Sequence, residues 1–230
     1  IGMEVAGTAT ISDASFLHID NDGIRVSGNA DISDASFTDL SGGVQSSGDL
    51  ILTVSEFTDV GTGVSLTGGT ADIEGLTFSN GVGNGVSLAS GVTGDIDSMT
   101  GQATNAIVSM DATGFTISNL NMSGERMVNS WSAGDLSISN ADFHAVSSET
   151  PIDIRTSGTV SLSDVHLTGQ FGDYEGKNKE DLLSILEIKN LLIIQIVQYK
   201  NSTASIESID GLELKDEPMK VPCNNDTRIL

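Results

Sequence analysis

The side chains able to do chemistry are numerous but scattered. Asp and Glu total 32 in 230 residues, so close pairs such as Asp20 with Asp22, or Asp95 with Asp97, arise from density alone, although two carboxylates are the tool of glycoside hydrolysis. Asp153 and Arg155 stand two residues apart, with Glu125-Arg126 upstream. No catalytic residue is assigned, and Arg155, Asp153 and Arg126 are the candidates, an acid beside guanidinium groups whose plainer use is a surface ion pair. His18, His144 and His166 allow one metal-binding combination, His144 with His166, against the plainer reading of separate surface histidines. A single cysteine, Cys223, excludes an intrachain disulfide framework and a Cys-rich zinc site. No Ser-His-Asp or Cys-His nucleophile arrangement is supported. No cofactor is assigned; carboxylates and turn carbonyls are hard oxygen ligands, so calcium is the one the composition leaves open. Neither a twelve-residue EF-hand loop nor a nine-residue glycine-aspartate repeat is present, and no metal ligands are assigned.

Charge narrows the partners. Ten Lys plus Arg against 32 acids give a net charge of −22, which disfavours nucleic acid and anionic membrane surfaces, both of which require clustered cations. Up to residue 170 there is no lysine and there are three arginines, Arg25, Arg126 and Arg155; the other seven basic residues lie in the last 60. The longest apolar run, Leu191 to Val197 broken by Gln195, is far short of the roughly 20 residues of a membrane helix, so no membrane insertion is expected. The opening Ile1-Gly-Met-Glu4 has no basic region, apolar stretch or cleavage site, and the chain is expected to be part of a longer one.

The elements that must position these residues follow from an internal repeat. ISDASF begins at Ile11 and again at Ile32, followed by LTVSEF at Leu52, IEGLTF at Ile73, a degenerate IDSMTG at Ile96, ISNLNM at Ile117, ISNADF at Ile138 and LSDVHL at Leu162. The starting positions advance by 20 to 24 residues, a period that marks a solenoid, propeller or array. Within each phrase apolar or small residues recur at the start, three on and five on, so period-two alternation breaks once, at the polar pair. That pattern predicts two short strands separated by a tight corner at Ser12-Asp13, Ser33-Asp34, Ser118-Asn119, Ser139-Asn140 and Ser163-Asp164, where Asp and Asn tolerate a left-handed backbone. A third strand, often led by glycine, precedes the next phrase: Gly23-Ile-Arg-Val26, Gly43-Val44, Gly63-Val-Ser-Leu66, Gly85-Val-Ser-Leu88. Three strands close one triangular coil, and stacked coils bring like residues into columns. One column takes Phe16, Phe37, Phe57 and Phe78 on to Met122, Phe143 and Leu167.

Coils of this length, with a Gly-Ile/Val-x-Val strand and an Asx corner before a Phe-bearing strand, resemble the right-handed parallel β-helix repeat of the pectin-lyase-like superfamily. The resemblance covers residues 5 to about 168 and resumes weakly at Leu183–Ile188 and Ile206–Ile209. It implies an all-β, right-handed parallel β-helix solenoid of nine or ten coils over residues 1–216. A charged excursion loop is expected at 171–182, and a cap or disordered tail at 217–230. Leu191 to Val197 reads as a strand of a late coil covered on both sides, since an open solenoid end is an exposed edge.

Enzymes resembling this fold place catalytic residues on the outward side of the glycine-led sheet, where polysaccharide lyases hold calcium on carboxylates beside a basic residue. The corresponding row here is Arg25, Gln45, Ser65, Ser87, Val108, Asn129 and Asp153, without a carboxylate cluster. Its members Arg25, Gln45, Ser65, Ser87, Asn129 and Asp153 are the candidate ligand-binding residues. The chain is therefore expected to be a non-catalytic extracellular or cell-surface module, a stalk or adhesion element with carbohydrate as its expected ligand, present as a monomer or as part of a longer chain. The alternative is a polysaccharide lyase or glycoside hydrolase using Arg126, Asp153 and Arg155. A trimeric, phage-tail-like β-helix is a further arrangement of the same repeat. Ice binding would require a Thr-x-Thr ladder, which Thr8 and Thr10 begin but Asn29 and Asp31 do not continue. Sequons at Asn121, Asn201 and Asn225 permit glycosylation.

Overall fold

The computed structural model describes residues 1–89, 91–110, 114–131, 135–146, 152–156, 159–169, 194–198, 203–206, 209–210 and 228–229. These form a parallel β-solenoid of about seven turns with no helix, against the nine or ten coils expected. The difference lies beyond residue 169, where only short strands are described. Leu183–Ile188 and the 171–182 loop fall outside the described residues. Ile194–Gln198 does continue the stack, pairing in parallel with Ile152–Thr156. Its other edge is met antiparallel by Arg228–Ile229.

Every other pairing is parallel, each coil bonding to its equivalent in the next. The eight phrase-starting residues pair in one column from Ile11 through Ile32, Leu52, Ile73, Ile96, Ile117 and Ile138 to Leu162. Register is fixed this firmly because a slip by one residue would turn every inward side chain to solvent.

The first corner carries positive φ at the second residue after each phrase start: Asp13, Asp34, Val54, Gly75, Ser98, Asn119, Asn140 and Asp164. A second left-handed corner, not read from the repeat, occupies His18, Asp39, Asp59 and Asn80 five residues later. Three outer faces result. The first bears strands such as Thr8–Ser12 and Asn29–Ser33, the second follows the first corner, and the third carries the glycine-led segments ending at Val26, Ser46, Leu66 and Leu88.

The core is the set of inward columns. Phe16, Phe37, Phe57 and Phe78 stack with centroids 5.2, 5.0 and 5.2 Å apart, the strand spacing itself. The glycine leading the third strand makes room for them, since a Cβ on Gly43 would stand 2.4 Å from Phe57 Cε1. After Phe78 the column meets Gly101 before resuming at Met122 and Phe143. At roughly 1.5 to 3 kcal/mol for each large side chain fully buried, such columns offset the entropy of ordering a Ser- and Gly-rich chain.

Candidate functional site

Period-two alternation on the third face sends Ile24, Val44, Val64 and Val86 into the core, where all are buried, and leaves the next residue of each strand outside. Backbone pairing places Glu4, Arg25, Gln45, Ser65, Ser87 and Asn129 in one unbroken row with the strand positions Val108, Asp153 and Gln195. The ligand-binding candidates therefore lie side by side, about 4.8 Å apart from coil to coil.

The row is best defined at its start. Arg25 donates through Nε to Gln45 Oε1 at 3.0 Å and through Nη2 to Asp22 Oδ2 at 2.7 Å. Asp22 sits where the ladder between the first two coils shifts register, between Ile19 and Asp22, and this irregularity brings its carboxylate beside the guanidinium. The Arg25 side chain is 42 % exposed and that of Asp22 20 %, so the ion pair holds Arg25 along the face while leaving part of it open to solvent. Gln45 then has its carbonyl engaged and its amide nitrogen available, and Ser65 and Ser87 continue the row with hydroxyls. Arg25, Gln45 and the two serines make a strip of hydrogen-bond donors and acceptors carrying one locally neutralised charge.

The catalytic candidates are placed differently. Asp153 and Arg155 lie on Ile152–Thr156, facing Asn129 and Trp131 of the preceding coil; their side chains lie outside the described residues. Arg126 begins Arg126–Trp131 and pairs with Asn105, three positions before the residue facing Asp153. That offset is about 10 Å along the strand, so the backbone does not set Arg126 opposite Asp153.

The histidines each meet a carboxylate or lie apart from one another. His18, on the second corner, has Nδ1 2.6 Å from Asp39 Oδ2, and His166 Nδ1 is 3.2 Å from Asp142 Oδ1. His144 pairs along the backbone with Thr168, and His166 with Asp142, two positions away. Among the described residues no three His, Cys, Asp or Glu side chains converge to hold a metal ion. A shallow open depression of 340 Å³ lies at the second corner, lined by His18, Ile19, Asp20, Asp39, Leu40 and Ser41, away from the third-face row. The pattern of Asp39, Asp59 and Asn80, each seven residues after a phrase start, was the available signal for that corner.

No family model, curated protein or solved structure matches this chain. No helix among the described residues is long and apolar enough to cross a membrane.

Proposed function

We propose that this chain is a non-catalytic module of an extracellular or cell-surface protein, built on a β-helix of the pectin-lyase-like kind, that acts as a stiff stalk or adhesion element and contacts carbohydrate along its third outer face. The observation that carries this reading is the row from Arg25 through Gln45, Ser65 and Ser87, whose guanidinium, amide and hydroxyl groups stand in register on a rigid sheet. Sugar hydroxyls are bound by such planar arrays of donors and acceptors, and a binding face on paired strands loses little entropy when it is occupied. Stiffness is supported by the continuous core columns, and a net charge of −22 keeps such a rod soluble and self-repelling.

The test is a panel of neutral and acidic polysaccharides, with and without calcium, scored for binding and for unsaturated products or new reducing ends. Binding without turnover, weakened about tenfold in Arg25→Ala and again in Gln45→Ala, is the expected result. Products that disappear in Arg155→Ala would replace this reading with a lyase or hydrolase. Absence of binding to every polysaccharide would remove carbohydrate as the ligand.

A further inference from the structure

The third coil breaks the repeat at two outward positions three residues apart. On the first face, the row just before the phrase starts is Thr10, Asp31, Ile51, Asp72, Asp95, Thr116, Ser137 and Ser161. Ile51 is the one apolar member, and it is 44 % exposed. Three residues on, the first-corner column consists of Asp, Gly, Ser and Asn except at Val54, which is 59 % exposed with φ at 46°. A β-branched residue in the left-handed region is an outlier, since its side chain crowds the backbone there in a way that Asp, Asn or Gly avoids.

A lone exposed aliphatic side chain on a protein surface requires no explanation. Two on one coil edge, one of them in a strained conformation that Asp, Asn or Gly would relieve, depart from the repeat together, and strain of this kind is stored at binding sites. The surroundings indicate what would cover it. Ile51 is flanked in its row by Asp31 and Asp72, Val54 in its column by Asp34 and Gly75, and Thr53 between them faces Glu74. Asp31, Asp34, Asp72 and Glu74 are exposed and form no ion pair among the described residues.

The geometry points to a docking site for a partner protein segment that presents an apolar side chain flanked by lysine or arginine. The aliphatic pair supplies the desolvated centre and the four carboxylates the complementary rim, the usual division between hot spot and surround. The site lies on the first face and the first corner, separate from the third-face row, so the fate of the carbohydrate reading does not decide it.

The probes are two labelled peptides of equal length and charge, one alternating leucine with lysine and the other glycine with lysine. Against the wild-type chain the leucine peptide binds at least about tenfold more tightly. The double variant Ile51→Asp, Val54→Asn restores the polar pattern and adds a carboxylate. It weakens the leucine peptide by about tenfold or more, while Leu17→Thr, which removes an exposed leucine elsewhere, changes it less than about twofold. A purely electrostatic attraction would instead strengthen in the double variant, and that result, or equal affinity for the two peptides, overturns the proposal. Self-association of the wild type that the double variant abolishes, seen by sedimentation, would make a second copy the occupant and overturn it equally. A melting temperature of the double variant well above the assay temperature shows that lost binding is not lost folding.

Discussion

Phe37 and Phe57, one coil apart, lie with ring centroids 5.0 Å apart and planes 7° from parallel. Parallel pairing forces this arrangement, because equivalent residues of adjacent coils are separated by one strand spacing and point the same way. Each ring is also packed against the glycine that leads a third-face strand, Phe37 against Gly23 and Phe57 against Gly43. The column thus ties the second face to the third across the core, and its strength depends on position along the stack.

Phe57→Ala leaves a void between two rings, with Phe57 itself fully buried. A loss of about 3–5 kcal/mol in unfolding free energy is expected. Phe16, at the end of the column and 8 % exposed, has a ring neighbour on one side only, and Phe16→Ala is expected to cost less. Denaturant titration of both variants measures the difference; equal losses would mean that the column does not act as a stack.

Val54→Asn places a residue that accepts positive φ in the corner where its neighbours already have Asp34 and Gly75. It should stabilise the chain by about 1 kcal/mol, and the converse change Asp34→Val should destabilise it by a similar amount. Thermal melts of the two variants would show shifts of opposite sign.

Two glycines with positive φ should respond unequally to alanine. A Cβ on Gly101, at φ 111°, would lie 1.9 Å from the carbonyl oxygen of Phe78, whereas one on Gly114, at φ 72°, meets nothing within 4 Å among the described residues. Gly114→Ala then costs only the backbone term, about 1 kcal/mol. Gly101→Ala must in addition push adjacent coils apart and should cost several times as much, a contrast that equilibrium unfolding would resolve.

Asp95 faces Asp72 in the preceding coil, and Glu74 faces Asp97, so like charges stand opposite one another on the first face, an arrangement that destabilises a sheet. Asp95→Asn should raise the melting temperature at low salt. The gain should fade as sodium chloride approaches about 1 M, where the screening length falls to about 3 Å. A gain independent of salt would point to a packing effect instead.

Much of the architecture is legible because a solenoid writes its geometry repeatedly into its sequence. The recurrence of Ile11, Ile32, Leu52 and Ile73, the Asx corners and the phenylalanines five residues beyond each start encode local alternation and a period, and stacking follows since each coil can bury its inward side chains only against another. Even the degenerate phrase at Ile96 keeps its register, pairing Ile96 with Ile73 and Met99 with Leu76. The outward row from Arg25 to Asn129 is likewise a consequence of alternation and could be written down from the chain alone.

What the residues could not announce depends on contacts between coils. His18 reads as a separate surface histidine, and only the meeting of two left-handed corners one coil apart brings its ring to Asp39. Arg25 is one basic residue among acids in sequence, yet a register shift after Ile19 aims Asp22 at it and turns a free charge into a positioned donor. Ile51 and Val54 look like ordinary strand formers until pairing shows them in rows where the other coils carry polar residues or glycine. Period and alternation are properties of a single coil and so are carried by sequence. Which side chain stands beside which is decided when coils stack, because small shifts in coil length set the neighbours across each strand spacing.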